Sequence, residues 1–218
     1  MILAAGCSIA HGQGNVEENY HKDNVNDSYP NLIASYMKLE CNNIAYPGYS
    51  NELIFHSIIN ELDKNLYSHC LVSWTGNTRD GWENSDEIYT FNLNYAKYEN
   101  KHKLGKTLWH KIENHISFGS NDVTGIDKIK KLYSTVETKI LSDDFSKKLK
   151  NYQQAVQAIC QAKSIHLVEI DAIKNNEDSK LYLLDRKLFY NPKSPWFHPP
   201  KESHKLWADD IYNKFYAK

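Results

Sequence analysis

The chain reads as an α/β protein, a three-layer α/β/α sandwich on a central, mostly parallel sheet, with a helical insert. Three observations predict this. Short apolar runs alternate with amphipathic stretches in the order strand, loop, helix. The apolar runs show little alternation, as expected of strands buried on both faces. The length of 218 residues, with 41% hydrophobic and 24% charged, suits one domain with a substantial core. Residues 1–218 are therefore taken as a single domain, without internal repeat or linker.

Met1 to Ala5 reads as a buried first strand ended by Gly6. Leu3-Ala4-Ala5-Gly6-Cys7 has the outline of a lipoprotein cleavage box, but no basic leader or apolar stretch precedes it, so a core strand is the expectation. Residues 7–28 are rich in Gly, Asn, Asp and His without a steady period, and predict a long loop of the kind that carries function. Pro30 suits a first helical turn, and Leu32, Ile33, Tyr36 and Leu39 recur at helical spacing. Asn42 to Ala45 is a second short strand, punctuated by Pro47-Gly48. Ser50 or Asn51 caps the next helix, whose inner face is Ile54, Ile58 and Leu62. His69 to Trp74 is a third strand.

Thr75 to Glu87 is polar and predicts a second functional loop. Residues 91–116 and Asp122 to Ile140 predict helices that interrupt the alternation, so 91–140 is read as a helical insert or a dimer surface. Phe145 to Lys163 is the clearest helix, with Leu149, Tyr152, Val156, Ile159 and Cys160 on a 3.6-residue period. Ser164 to Ile170 is the next strand, and a short apolar run follows at Leu181 to Leu184. Ser203 caps a final helix that presents Trp207, Ala208, Ile211, Tyr212 and Phe215 on one face.

Charge narrows the function classes. Lys and Arg number 26 against 27 Asp and Glu, which removes the basic excess expected of a nucleic-acid binder. Only Arg79 and Arg186 are arginine, so bidentate anion recognition has few candidates. Cys7, Cys41, Cys70 and Cys160 are widely spaced and predict free thiols in a reducing compartment. No run of about twenty apolar residues predicts a membrane span. The expected location is cytoplasmic or virion-associated, without a signal peptide. Neither metal nor cofactor is expected: His198 with His204 lacks a third ligand, His11, His21 and Asp23 would need help from elsewhere, and no dinucleotide or phosphate-loop fingerprint occurs.

Right-handed crossovers in such a sheet bring the loops after each strand to one edge, where ligands sit. Ser8 follows the first strand within Gly6-Cys7-Ser8, as a nucleophile or a turn serine. Gly48 follows the second and Asn77 the third; the Gly48 backbone N–H and the Asn77 amide are candidate oxyanion donors. His198 and His204 lie far downstream, and either is a candidate base near neutral pH. His204, in the first turn of a helix where a cation is disfavoured, fits a structural role better. Arg79, Trp196 and His11 are candidates for contacting a substrate.

Gly6-Cys7-Ser8 with Gly12, Asn43 to Asn51, Trp74 to Arg79, and His198-Pro199 with His204, Trp207 and Ala208 together resemble the blocks of the SGNH (GDSL-like) hydrolase superfamily, in a bacterial or phage branch opening with Gly-Cys-Ser. The resemblance implies a flavodoxin-like three-layer fold, with Ser8 as nucleophile and His198 as general base. It implies an oxyanion hole made by the N–H groups of Ser8 and Gly48 and the side chain of Asn77. The implied activity is hydrolysis of a small acyl ester through an acyl-enzyme, with an O-acetylated carbohydrate among the substrates, no nucleic-acid or membrane partner, and an oligomer allowed. One departure stands out. The family places an aspartate two or three residues before the catalytic histidine, where this chain has Trp196 and Pro195. The first upstream carboxylate is Asp185, the candidate orienting acid; otherwise a backbone carbonyl serves a Ser-His dyad. The alternative is a catalytically degenerate binding protein, or a phage structural or assembly protein.

Overall fold

The computed structural model describes residues 1–13, 15, 24–64, 66–75, 79–84, 87–92, 138–172, 181–184 and 198–217, with only the backbone course given for 79–84, 87–92, 138–145 and 183. Five strands, β1 (Ile2–Gly6), β2 (Cys41–Asn43), β3 (His69–Trp74), β6 (His166–Asp171) and β7 (Tyr182–Leu183), form one sheet in the order β2-β1-β3-β6-β7. Every pairing in it is parallel. The connection direction reverses between β1 and β3, the doubly wound topology in which a crevice opens at the carboxyl ends of those two strands.

Helices cover both faces. On one lie α2 (Tyr29–Tyr36) and α5 (Lys201–Phe215), packed on Ile2, Leu71, Val168 and Ile170. On the other lie α3 (Asn51–Leu62) and α4 (Thr138–Ala162), packed on Leu3, Ala5, Cys70, Val72 and Trp74. Neighbouring residues of β1 and β3 thus feed opposite cores, as the pleat requires. The sandwich predicted from the sequence is the one observed. The inner faces of α3 and α4 are the expected ones: Ile54, Ile58 and Leu62, then Leu149, Val156 and Cys160, are buried. Ser50 caps α3 by accepting the Leu53 N–H at 3.3 Å. All four cysteines are free. Among the described residues no helix is long and apolar enough to cross a membrane.

Several boundaries differ. The segment 7–28 holds a short helix, α1 (Ser8–His11), and a 3-10 turn at Val25–Asp27. Its base is closed by Asn15, which donates to the Asn24 carbonyl at 2.9 Å and accepts the Asn24 N–H at 3.0 Å. The second strand ends at Asn43, because the Asn43 side chain turns back to accept the Ala45 N–H at 3.1 Å. The polar stretch after β3 contains an antiparallel hairpin, β4 (Arg79–Asn84) and β5 (Glu87–Asn92), with Arg79 opposite Asn92 and Asn84 opposite Glu87. The β-branched and aromatic residues of Glu87-Ile88-Tyr89-Thr90-Phe91-Asn92 suit a strand, so neither a loop to 87 nor a helix from 91 holds there. Residues 93–137, the bulk of the expected insert, lie outside the described residues. Helix α4 starts earlier than expected, at Thr138, and α5 starts at Lys201 with Pro200, not Ser203, at its N-cap.

Gly6 controls the exit from β1. A β-carbon there would lie 2.7 Å from Ala10 Cβ, 2.9 Å from Ser73 Cβ and 3.0 Å from the Ser73 carbonyl oxygen. All three are backbone atoms or β-carbons fixed on the backbone, so no rotamer change relieves them. Gly6→Ala is expected to destabilise the protein by about 1–3 kcal/mol, as overpacking does, read as a lower denaturation midpoint in urea.

Candidate active site

Strand β1 ends at Gly6, and Ser8 begins α1 directly beyond it, only 7% exposed. The segment after β2 stays pinned to β1: the Ile44 N–H reaches the Ala4 carbonyl at 2.8 Å, and the Tyr46 N–H reaches that of Gly6 at 3.1 Å. A tight turn follows. Tyr49 N–H donates to the Tyr46 carbonyl at 3.2 Å with Pro47 and Gly48 between them, and Gly48 has φ of 90°. Those are the marks of a type II turn, whose third position favours glycine. Hence Gly48 sits one hydrogen-bonded turn away from the backbone that leads into Ser8.

The other chain end reaches the same edge. Tyr216, just past α5, packs its ring 5.7 Å from His69 and 5.5 Å from His166, at the amino ends of β3 and β6. Helix α5 therefore runs antiparallel to the strands, and its start, with His198, Pro199 and Pro200 before it, lies towards the carboxyl edge. Helix α2 runs alongside in the same sense, with Tyr29 against His204 and Trp207 and Tyr36 against Tyr212. A chain of polar contacts joins these parts. Asn43 donates to the Ala10 carbonyl at 3.0 Å and to Ser28 Oγ at 3.2 Å, Ser28 Oγ donates to the Val25 carbonyl at 2.6 Å, and the Tyr29 N–H donates to His204 Nδ1 at 3.3 Å. Lys201 adds an ion pair to Asp27 at 2.8 Å, half-exposed and so of small energetic weight.

The residues singled out from the sequence fall as follows. Ser8, Gly48 and His198 share the carboxyl edge. His11 closes α1 by donating Nδ1–H to the Ala45 carbonyl at 2.8 Å, which ties it to the segment between β2 and the Gly48 turn. Arg79 opens β4, described as backbone only. Asn77, Asp185 and Trp196 lie outside the described residues. Trp74 closes the core, with its indole N–H donating to Glu169 at 2.9 Å. Burial raises the Glu169 carboxyl above its ordinary range, opposed by hydrogen bonds from Gln157 and Trp74.

His204 is fully buried. Because Nδ1 accepts from Tyr29, the ring proton resides on Nε2, which has no hydrogen-bond partner among the described residues. Burial first, then the neighbouring His198, depress its pKa to about 3, with Asp27 pulling weakly the other way. A neutral imidazole stacked on Tyr29 at 6.0 Å is a packing and capping residue, as expected for His204. Two edge residues were not singled out for the site. Asp171 is a buried acid at the end of β6, in register with Trp74, and its sequence signal is a carboxylate closing an apolar strand. Asn51, read as a helix cap and as the end of the Asn43–Asn51 block, pairs with the backbone of Thr75.

The doubly wound sheet thus has a serine leaving its first strand and a histidine ahead of its last helix, both towards one edge. Esterases are among the solved structures that resemble this chain in fold. A carbohydrate esterase whose active site displays divergent catalytic and non-catalytic binding functions matches with a TM-score of 0.52 at 12% identity, over 100% of this chain and 64% of that one. This chain thus spans just under two thirds of that protein's length. The psychrotrophic esterase EstA from Pseudoalteromonas sp. matches at 0.46 and 11% identity, over 97% and 94% of the two chains. A family two carbohydrate esterase from Clostridium thermocellum, in complex with cellohexaose, matches at 0.41 and 15%, over 98% and 63%. No protein-family model matches the chain, and no curated protein matches it in sequence.

The buried neutral His204 makes stability depend on pH. Its folded pKa lies below the unfolded value of 6.5, so the unfolded chain binds the extra proton between those values. Its contribution is complete above pH 6.5 and is lost as pH falls towards 3. The expected loss is about 2 kcal/mol on going from pH 7 to pH 5. His204→Asn, which keeps an acceptor for Tyr29, is expected to flatten that slope in urea titrations at the two pH values.

Proposed function

We propose that the protein is a serine esterase of the SGNH type that hydrolyses a small acyl ester, with O-acetylated carbohydrate as its substrate class. The observation that carries this reading is the convergence of two remote chain segments. Ser8 leaves β1 and His198 precedes α5 at the same sheet edge, although 190 positions separate them in the sequence. In this reading His198 takes the Ser8 hydroxyl proton as Oγ attacks the ester carbonyl. The oxyanion of the tetrahedral intermediate is held by the N–H groups of Ser8 and Gly48 and by the Asn77 amide. His198 returns the proton to the departing alcohol. A water molecule then attacks the acyl-enzyme, with the same base assisting. A neutral acetylated sugar also suits a chain with only two arginines.

A second reading is a binding protein that retains the fold without turnover. The observation favouring it is the absence of a carboxylate two or three residues before His198, where Trp196 and Pro195 stand, and one experiment separates the two readings. An active enzyme labels with a fluorophosphonate and hydrolyses short aryl esters and acetylated xylo-oligosaccharides. Ser8→Ala is expected to abolish labelling and turnover, and His198→Ala to lower kcat by about 10²–10⁴-fold. Absence of labelling and of hydrolysis in the native chain, with acetylated oligosaccharide still bound in calorimetry, would establish the binding reading.

A further inference from the structure

The segment after β3 needs an anchor at its start, and Asn51 supplies one. Its Nδ2 donates to the Thr75 carbonyl at 3.0 Å, and its Oδ1 accepts the Thr75 N–H at 2.8 Å. Both partners are buried, Asn51 at 6% and Thr75 at 0% exposure. A carboxamide offers one donor and one acceptor side by side, like a peptide group, so Asn51 pairs with both backbone groups of Thr75 much as a neighbouring strand would. Without it, two buried backbone groups would lose these partners. The location gives this pairing its meaning. Asn51 lies three residues after Gly48, at the first position of α3, and Thr75 lies two residues before Asn77. The pair is a cross-link between the segments that bear the two distant oxyanion donors of the proposed hydrolase.

We infer that Asn51 is a positioning residue for ester hydrolysis: its carboxamide clamps the Thr75 backbone to the start of α3 and so fixes the exit of β3, two residues before Asn77 in the sequence, against the element that follows the Gly48 turn. This role rests on the esterase reading above. Asn51 touches no reacting atom in it. It acts through Asn77, and its effect belongs to transition-state stabilisation, not to substrate binding. Displacement of an oxyanion donor by about 1 Å is enough to cost about 10²-fold in rate.

The test is a kinetic cycle on the purified full chain with a short aryl ester, comparing native protein, Asn51→Ala, Asn77→Ala and the double variant. Thermal melts and circular dichroism confirm that each is folded at the assay temperature. Asn51→Asp, which keeps the acceptor for the Thr75 N–H, replaces the alanine variant if that one does not fold. The expected result is a loss of about 10²-fold in kcat with KM within about threefold, an unchanged pH profile, and no further loss when Asn51→Ala is added to Asn77→Ala. Multiplying losses, a change confined to KM, or an unaltered kcat would overturn the assignment while leaving an active native enzyme. A native chain that turns over no ester would overturn the hydrolase reading and this role with it, so the two failures are told apart.

Discussion

The close approach of α1 to the sheet at Gly6 is the constraint from which the rest of this edge follows. With no side chain at that position, Ala10 and Ser73 come together over the end of β1, and the chain enters a helix without an intervening loop. Any larger residue would force α1 away from β3. The displacement would not stay local, because the Tyr46 N–H is bonded to the Gly6 carbonyl and the Gly48 turn hangs from Tyr46. One missing methyl group therefore sets both the placement of Ser8 and the height of the turn beside it. The core beneath has no comparable demand: the apolar residues of β1 and β3 are exchangeable in principle with others of similar volume, whereas Gly6 is not.

The edge above the sheet is held mainly by asparagine. Asn15 pairs with both backbone groups of Asn24, Asn51 pairs with both of Thr75, and Asn43 links Ala10, Ala45 and Ser28. These are the places where the chain leaves regular structure and its peptide groups lose their ladder partners. A carboxamide substitutes for a strand there without carrying charge, which a buried carboxylate would. The favourable energy of each bond is modest, roughly 1 kcal/mol, but leaving such a group unpaired costs more than the bond gains. The asparagines thus specify where the loops attach more than they add to total stability.

This explains which parts of the molecule were legible in the sequence. The strands were, because burial on both faces leaves an uninterrupted apolar run such as His69 to Trp74, whose observed limits are those expected. Helices α3 and α4 were legible through their apolar period. The hairpin of β4 and β5 was not, since Gly81, Asn84 and Ser85 suggest a loop and the strand character of Ile88 to Phe91 is outweighed by its polar surroundings. The placement of Ser8, Gly48 and His198 towards one edge was readable because each stands next to a strand or helix boundary, and topology brings such boundaries together. Asn51 escaped notice as an anchor because its partner is backbone, and a backbone partner leaves no trace in sequence. Asp171 escaped for a related reason: a single carboxylate after an apolar strand looks the same whether it faces water or a buried crevice.

The two histidines near the last helix show how position within one short segment separates roles. His204 lies on the buried side of α5, where desolvation keeps it neutral and its Nδ1 satisfies the first N–H of α2. That arrangement removes it from acid–base chemistry near neutral pH, because an imidazole whose pKa lies near 3 is a poor proton acceptor. His198, six residues earlier, precedes Pro199 and Pro200, so its backbone is restricted without being locked into helix geometry. Burial thus separates the two: His204, on the core side of α5, is held neutral by desolvation, while His198 stands half-buried ahead of that helix at the sheet edge.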